Sequence, residues 1–281
     1  MACVGNAAAT AEEAPVQPVA AQPAAAQQST TQPRAEQPQA EQALPSPKEW
    51  LAKRQAEFEA YEISLEAEKP RKLILESRSL LNWSNAERGA DVGAVFLWTD
   101  RGLPQLIACA FGRDKLLRHE FHSLSTEPIV AQRGGEAVHR FGSGAMWQQL
   151  PAALGAGEAA PPAKQRALRL TQMRRQAERF RVVMGGKQPA QMRLLTQPVY
   201  RTPAELEDDM ALFAFVQGTD PECVLMLEAT AEGKWQYCLT RQTKWPLKVE
   251  LDGKEVADFP SLGRTPAESP FFVLKPPAAA E

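Results

Sequence analysis

Apolar and polar segments follow each other in nearly the same order in two stretches of the chain. The first stretch opens with residues 46–49, Ser-Pro-Lys-Glu, a capping box with proline at the first helical position. Apolar residues then recur with helical spacing, which predicts one buried helix face ending before Pro70. These residues are Leu51, Phe58, Tyr61 and Leu65.

The second stretch opens with a similar helical pattern. Its apolar positions are Leu170, Met173, Ala177, Phe180 and Met184. The Gly-Gly pair at 185–186 is predicted to end this helix, because glycine suits the left-handed conformation of a helix C-terminus.

Short apolar runs after each helix predict strands. In the first stretch they are residues 73–75, 93–98, 106–111 and 119–124, and in the second they are 192–195, 211–216, 224–227 and 235–240. Turns are predicted at 100–102 and 219–221, and the closing hairpins at Gly134-Gly135 and Asp252-Gly253. Asp-Gly is typical of a type I′ turn, which needs positive φ at both residues.

The two stretches align on each other. A shift of 118 residues lays 93–141 on 211–259 without a gap, and a shift of 119 aligns the helices. The sequence therefore predicts an internal duplication. One helix followed by four or five antiparallel strands resembles the topology of cystatin and NTF2-like α+β units, a likeness that implies no function.

Two predicted strands, residues 94–98 and 212–216, are apolar at every position. A sheet with one face in water alternates apolar and polar residues, so both faces of these strands must be covered. We expect the helix to cover one face and the other unit, or a second chain, to cover the second; packing of the two units on each other is favoured. The predicted fold is α+β, with two similar helix-plus-antiparallel-sheet units packed as a pseudo-dimer.

The predicted boundaries follow from composition. Residues 1–45 form an Ala-, Pro- and Gln-rich arm that is expected to be disordered, because it holds too few apolar residues to offset the entropy of ordering. Residues 46–150 form the first unit, 151–162 a linker, 163–262 the second unit and 263–281 a C-terminal tail.

The N-terminal arm is informative about the cellular compartment of the protein. Residues 9–11, Ala-Thr-Ala, have the form of a signal-peptidase site, although no basic and apolar segments precede them. Three interpretations stay open: a truncated signal peptide, a lipoprotein modified at Cys3, and a cytoplasmic protein with a low-complexity arm. An Ala/Pro/Gln tether favours export, to the periplasm, cell envelope or medium, over the cytoplasm.

Charge and apolar content exclude several classes. The net charge of −2 gives no bias towards nucleic acid, so sequence-specific nucleic-acid binding is not expected. No apolar run is long enough for a transmembrane segment. Cys223 and Cys238 could lie on neighbouring strands, which leaves a disulfide open, and no C-x-x-C spacing suggests zinc.

One candidate pocket comes from residues 119–122, His-Glu-Phe-His. His119, Glu120 and His122 could line a cup, but on a strand the two histidines point to opposite faces. The helical spacing of the H-E-x-x-H zinc motif is absent. Ordinary sheet positions are therefore the favoured interpretation, and neither a catalytic set nor a metal site is predicted.

A second candidate is the basic character of the second helix. Arg169, Arg174 and Arg175 could bind an anion, although a solvated or ion-paired helix face is favoured. No aromatic residues are interleaved with them to stack on bases.

Four motifs carry a resemblance to a known family. They are G-A-V-F-L-W-T-D-R-G-L-P (93–104), H-E-F-H-S-L-S (119–125), R-L-L-T-Q-P-V-Y-R (193–201) and A-L-F-A-F-V-Q-G-T-D-P-E (211–222). These motifs resemble an uncharacterised family of exported proteins from planctomycete bacteria over about residues 72–262. The resemblance implies a bacterial source and export, and it transfers no activity and no catalytic residue.

The sequence thus favours a non-catalytic binding or interaction module of an exported or envelope-tethered protein. The alternative is a small hydrolase or isomerase that uses an NTF2-like pocket. No cofactor is predicted. An unknown protein or envelope component is the expected partner, and the chain is expected to be a monomer or a homodimer.

Overall fold

The computed structural model describes residues 46–85, 91–112, 117–151, 160, 162, 164–186, 188–230 and 232–276. The predicted arm, with Cys3 and residues 9–11, lies outside the described residues, as does most of the predicted linker. The described part of the chain is α+β and rich in antiparallel sheet. Neither helix in that part has the length and apolar character needed to span a bilayer.

The first half of the described chain holds one helix and ten strands. In chain order these are α1 (Pro47–Glu59), β1 (Tyr61–Leu65), β2 (Arg71–Lys72), β3 (Ile74–Leu75), β4 (Leu81–Asn85), β5 (Asp91–Asp100), β6 (Leu103–Phe111), β7 (Arg118–Ser123), β8 (Ile129–Arg133), β9 (Glu136–Phe141) and β10 (Gln148–Gln149).

The second half follows the same order. Its elements are α2 (Arg166–Ala177), β11 (Phe180–Met184), β12 (Ala190–Gln191), β13 (Arg193–Leu194), β14 (Tyr200–Arg201), β15 (Asp209–Gln217), β16 (Asp220–Ala229), β17 (Trp235–Arg241), β18 (Leu247–Leu251), β19 (Lys254–Phe259) and β20 (Phe271–Leu274).

Each half contributes most of two sheets rather than the single sheet expected. In the first half β2-β1-β8-β9 form a four-stranded sheet, and β7-β6-β5-β3, with β4 also paired to β5, form a larger one. In the second half β12-β11-β18-β19 and β17-β16-β15-β13, with β14 paired to β15, repeat this arrangement. The last strand of each half pairs with the large sheet of the other half: β10 pairs with β17, and β20 pairs with β7. Residues 271–274 of the predicted tail are therefore strand.

Helix α1 begins as predicted and ends earlier than predicted. Ser46 Oγ accepts a hydrogen bond from the Glu49 backbone N–H, and the Glu49 carboxylate accepts one from the Ser46 backbone N–H, which completes the capping box. The helix ends at Glu59, and Tyr61–Leu65 is a strand with alternating burial. The spacing of Phe58, Tyr61 and Leu65 fits a helix, but Tyr61, Ile63 and Leu65 fit a strand equally well, and the strand forms.

The same correction applies to α2. This helix ends at Ala177, and Phe180–Met184 is the strand β11, so Gly185-Gly186 follows a strand instead of capping a helix. Two turn predictions have different outcomes. Asp252 and Gly253 have φ values of 51° and 77°, as a type I′ turn requires, whereas the turn predicted at 219–221 lies at Gly218-Thr219.

Three hydrophobic clusters hold the described residues together. The first helix core lies between α1, the four-stranded sheet and one face of β5–β7, and includes Phe58, Ile63, Phe96, Trp98 and Phe121. The second helix core lies between the equivalent elements of the second half, and includes Met173, Val182, Phe213, Phe215 and Leu225. The third cluster, called here the sheet junction, takes residues from both large sheets, among them Val95, Leu97, Ile107, Leu212, Val224 and Met226.

Both faces of the all-apolar strands are covered. Ala94, Phe96 and Trp98 belong to the first helix core, while Val95 and Leu97 belong to the sheet junction. Residues of β1, β8 and β9 cover this face of the sheet together with the helix, whereas the sequence pattern predicted that the helix alone would cover it.

The burial patterns of β5 and β15 match at an offset of 117 residues, one fewer than the predicted shift of 118. Phe96 and Phe213 both face a helix core, and they are 117 residues apart. The irregularity in pairing between Trp98 and Thr99 on β5 likewise has a counterpart between Phe215 and Val216 on β15. Because side chains alternate along a strand, a slip of one residue would turn every side chain to the other face.

Candidate functional site

His119 lies beneath α1 inside the first helix core. Its Nε2 is 3.2 Å from Glu57 Oε2, and its Nδ1 is 3.0 Å from the Tyr61 hydroxyl. A carboxylate only accepts, so Nε2 carries the proton and Nδ1 accepts from the Tyr61 O–H. Burial lowers the pKa of His119, and the ring stacks on Phe58 with centroids 4.5 Å apart. His119 is therefore a neutral, hydrogen-bonded core residue.

Glu120 and His122 lie on the other face of β7 and contact each other. His122 Nε2 is 3.0 Å from Glu120 Oε1, and both side chains are buried. Burial lowers the pKa of His122 well below its usual range. The pKa of Glu120 is raised well above its usual range, mainly by burial and in addition by the nearby carboxyl groups of Glu222 and Asp220. Of the three predicted pocket residues, the structure brings these two together and separates His119 from them.

Glu120 lines a pocket between the two large sheets. The cavity has a volume of about 340 Å³. The first half contributes Trp83 from β4, Cys109 and Phe111 from β6, and Arg118 and Glu120 from β7. The second half contributes Asp220, Pro221 and Glu222 from β16, residues 242–245 after β17, and Val273 from β20. Both halves are thus needed to form this pocket.

The floor and the rim of the pocket differ in charge. The carboxylic side chains of Glu120, Asp220 and Glu222 belong to residues that are only 6%, 9% and 1% exposed. Lys244 is exposed and Arg118 is partly exposed, so the cations that line the pocket lie nearer to solvent. The buried part of the pocket is therefore rich in carboxyl groups.

Trp83 forms part of the wall because the facing strand carries a glycine. Trp83 lies opposite Gly93 in the β4–β5 ladder, and a Cβ at Gly93 would lie 2.2 Å from the indole ring. The indole Nε1 donates a hydrogen bond of 3.3 Å to Cys109 Sγ. Gly93 thus provides the space for Trp83, and Cys109 fixes the ring.

Arg241 holds the segment that follows β17. Its guanidinium donates to the carbonyl oxygens of Thr243 at 2.8 Å, Trp245 at 2.6 Å and Pro260 at 2.8 Å. The backbone N–H of Gln242 donates to the Glu222 carbonyl at 2.7 Å. The backbone around Gln242 is therefore fixed from two sides.

The Gln242 side chain is unusual within this fixed segment. The residue is 6% exposed, it lines the pocket, and among the described residues neither its Nε2 nor its Oε1 has a hydrogen-bond partner. A buried amide without partners costs free energy relative to one that is hydrogen-bonded. A donor and an acceptor are thus both available to a molecule in the pocket.

The described residues contain no group of three or more His, Cys, Asp or Glu side chains arranged to hold a metal ion.

The three arginines predicted to bind an anion do not share one surface. Arg169 is 4% exposed, and its Nη1 lies 3.8 Å from Asp209 Oδ2. Arg174 is partly buried and donates to Gln197, whereas Arg175 is exposed. The buried face of α2 thus holds one of the three arginines in an ion-pair cluster.

The cysteines left open by the sequence are free thiols. Cys223 lies opposite Arg241, and Cys238 lies opposite Met226, so the two are not facing partners in the β16–β17 ladder. Cys223 belongs to the second helix core and Cys238 to the sheet junction, on opposite faces of the sheet. Burial raises the pKa of Cys238 to about 11 and also raises the pKa of Cys109 and Cys223.

We expect these three thiols to be unreactive in the folded protein, because the thiolate is the reactive form and burial disfavours it. A Cys3→Ser variant removes the fourth thiol. Ellman's reagent should label this variant slowly under native conditions and should find three thiols after denaturation without a reductant. Fast native labelling, or fewer than three thiols in denaturant, would contradict the buried, unbridged arrangement.

Comparisons with models of protein families, with curated proteins and with solved structures find no match for this chain.

Of the pocket residues, Glu120 is singled out by the sequence pattern, whereas Trp83, Asp220, Glu222 and Gln242 are not. These residues lie far apart along the chain, and they meet only because the two large sheets pack together. One local signal was available: the acids Asp220 and Glu222 open a strand whose following residues are all apolar up to Leu227.

Proposed function

We propose that this protein is a non-catalytic binding module made of two duplicated units, with a small polar ligand held in the pocket between them. The unpartnered amide of Gln242 carries the proposal, because a buried donor and acceptor without partners are retained most readily when a ligand supplies the partners. The export or envelope attachment expected from the sequence is part of the same proposal.

Matching strand pairings support the duplication. Ile63 lies opposite Ala131, and Val182 lies opposite Val249, in the β1–β8 and β11–β18 ladders. The β8–β9 and β18–β19 hairpins each have one irregularity, after Ala131 and after Val249. Such detail is expected of two copies of one unit, because register is fixed by side-chain pattern and turn geometry.

Reciprocal contacts support the pseudo-dimer. Thr219 Oγ1 accepts from the Ser84 backbone N–H at 3.0 Å and donates to the Ser84 carbonyl at 2.7 Å. The corresponding positions, Gly102 and Pro203, are also neighbours, since a Cβ on Gly102 would lie 2.8 Å from the proline ring. A twofold interface has this property: the contact of one residue with another recurs with the roles of the two copies exchanged.

The pocket chemistry is not repeated at the equivalent place. The positions that correspond to Glu120, Glu222 and Asp220 are Cys238, Gln105 and Leu103. The acidic residues of the pocket thus occur in one of the two equivalent places. This is consistent with a binding site that arose in one place after the duplication.

Replacing Gln242 with leucine tests the binding proposal. We expect the free energy of unfolding to stay the same or to rise by up to about 1 kcal/mol, because the change removes two unpartnered polar atoms. We also expect the variant to lose the ligands that the wild type binds. The probes are a library of small amines, sugars, amino acids and carboxylic acids, screened by thermal shift. A ligand at a concentration of one hundred times its Kd raises the free energy of unfolding by about 2.7 kcal/mol.

Gln176→Leu is the matched control. Gln176 is 7% exposed, and its Oε1 accepts a hydrogen bond from Arg179 at 2.6 Å. Removing this acceptor should cost about 1.5–3 kcal/mol and leave ligand binding unchanged. The proposal fails if Gln242→Leu is destabilised as much as this control, or if every library compound that binds does so equally well in the Gln242→Leu variant.

The catalytic alternative has one observation in its favour. Glu120 lines the pocket beside His122, and a carboxyl group with a raised pKa is suited to act as a general acid. Compounds that bind should be incubated with wild type and with Glu120→Gln and followed by NMR. Turnover by the wild type alone would favour a hydrolase or isomerase, and unchanged compounds would favour a binding module.

A further inference from the structure

The Gln242 side chain defines the hydrogen bonds that a ligand in the pocket must make. The residue is buried, and within the part of the chain that the structure describes its Nε2 and Oε1 both lack a partner. A primary amide presents an N–H donor and a carbonyl acceptor side by side in one plane. A complementary ligand therefore carries an acceptor and a donor side by side as well, so that two parallel hydrogen bonds form together.

This requirement excludes the simplest ionic ligands and ordinary peptides. An ammonium or amidinium group only donates, so Nε2 would stay unpaired, and a carboxylate only accepts, so Oε1 would stay unpaired. A trans peptide group places its N–H and C=O on opposite sides. An amide with both groups on the same side, which means a primary carboxamide or a lactam ring, satisfies both atoms of Gln242. We call this pair of groups the cis-amide edge.

The backbone that carries Gln242 is held firmly by hydrogen bonds. Its N–H donates to the Glu222 carbonyl at 2.7 Å, and the neighbouring Arg241 guanidinium donates to the carbonyl oxygens of Thr243 at 2.8 Å and Trp245 at 2.6 Å. A fixed backbone reduces the conformational entropy that binding costs. The amide of Gln242 is thus presented to the pocket by a pre-organised segment.

The walls of the pocket suit a flat ring. Trp83 and Phe111 both line the cavity, with ring centroids 6.5 Å apart and an angle of 31° between the ring planes. Trp245 lines it as well. Such side chains offer large, flat apolar surfaces on which another ring can stack. The cavity volume of about 340 Å³ is at the lower end for ligand sites, so the ligand body is one or two rings.

We infer that the pocket binds a small planar-ring molecule with a cis-amide edge, either a primary carboxamide or a lactam. This inference depends on the proposed binding function and deepens it. The ligand carbonyl accepts from Gln242 Nε2, the ligand N–H donates to Gln242 Oε1, and the ring contacts the wall formed by Trp83 and Phe111.

Four probes of nearly the same shape test the need for both a donor and an acceptor: benzamide, benzoate, benzamidine and acetophenone. Benzamide presents both groups, benzoate and acetophenone present acceptors only, and the benzamidine cation presents donors only. Isothermal titration calorimetry should show benzamide binding at least about tenfold more tightly than each of the others, because each of them leaves one atom of the Gln242 amide unpaired.

A second pair of probes distinguishes the two sources of the cis-amide edge. 2-Pyridone is a lactam, and its 1-methyl derivative lacks only the N–H donor. We expect 2-pyridone to bind at least about tenfold more tightly than the methylated compound. Selective binding of benzamide alone would assign the site to carboxamides, and selective binding of 2-pyridone alone would assign it to lactams.

Variants at Gln242 connect the preference to its side chain. Gln242→Leu should remove the preference for benzamide over acetophenone, whereas the control Gln176→Leu should keep it. Gln242→Met, which is unbranched like glutamine, replaces the leucine variant if that one folds poorly. The comparison of probes on the wild type needs no variant, so it tests the inference in either case.

The amide resonances of Gln242 give a direct readout of the contact. They are the side-chain pair that is missing from the nitrogen-15 spectrum of Gln242→Leu. Benzamide should move this pair downfield further than acetophenone does, because only benzamide bonds to both atoms. Binding of benzamide that leaves these resonances in place would overturn the inference.

The outcomes separate the two proposals. If benzoate, benzamidine or acetophenone binds as tightly as the amides, and Gln242→Leu abolishes that binding, the cis-amide inference is overturned and the binding module stands. The same conclusion follows if only compounds of the screening library bind in a Gln242-dependent way. If no compound binds in that way, both proposals fall.

Discussion

Replacing Phe58 with alanine is expected to lower the free energy of unfolding by about 3–5 kcal/mol. Phe58 is fully buried and is the central contact between α1 and the large sheet of the first half. Its ring lies 4.6 Å from Phe96 and 4.5 Å from His119, centroid to centroid, and meets Trp98 edge-on at 5.6 Å. These neighbours are fixed on two strands of one sheet, β5 and β7, and cannot collapse into the space that the ring leaves.

Urea denaturation followed by tryptophan fluorescence measures this loss. Leu51→Ala on the same helix is the control, because Leu51 is only partly buried and packs at the margin of the core. It should cost about 1 kcal/mol or less, since little apolar area leaves water there. Equal losses for the two variants would contradict the placement of α1 on the sheet.

Asp209→Asn is expected to cost about 3–5 kcal/mol, because it removes the anion from a buried cluster of cations. Asp209 is 1% exposed. It accepts two hydrogen bonds from Arg201, at 2.8 and 2.7 Å, and lies 3.3 Å from Arg166 and 3.8 Å from Arg169. Without the carboxylate, three guanidinium groups would face each other near the start of α2.

Asp252→Asn is the matched control for this prediction. Asp252 pairs with Arg179 at a surface turn, where its side chain is 36% exposed. Its φ of 51° suits asparagine as well as aspartate, so the turn is kept and only the charge is lost. A loss of about 1 kcal/mol is expected, because the Asp252 carboxylate of this pair is partly exposed to solvent. Comparable losses in both variants, measured by chemical denaturation, would show that the Asp209 cluster is not the buried ion centre described above.

Local chemistry was the most predictable part of the fold. The capping box at Ser46 and the type I′ turn at Asp252 depend on neighbouring residues alone, and both form as predicted. The all-apolar runs at 94–98 and 212–216 correctly indicated strands buried on both faces. In each case the residue pattern is compatible with only one local structure.

Element boundaries were less predictable, since apolar residues can fit two periods at once. Tyr61 and Leu65 extend the helical pattern of Phe58, yet they also alternate with Ile63 as a strand requires. Pairing with β8 decides between them, because Ile63 and Ala131 then face each other in the ladder. Such long-range pairing has no signature within the segment itself.

The pocket was the least predictable feature. Trp83 depends on the space at Gly93, and Gln242 depends on a segment held by Arg241, so the position of each follows from contacts across the fold. Only Glu120 belonged to a motif that could be singled out from the sequence, and its neighbour His119 is buried and hydrogen-bonded to Glu57 and Tyr61.

The exchange of β10 and β20 ties the two halves of the chain together. Strand β10, at the end of the first half, forms an edge of the large sheet of the second half, and β20, at the end of the second half, forms an edge of the large sheet of the first. A half expressed alone would therefore leave a backbone edge unpaired. Covalent linkage gives β20 a high effective concentration at its own β7, which favours closure within one molecule. If a second chain's β20 took that place, the product would be a domain-swapped oligomer that keeps every native hydrogen bond.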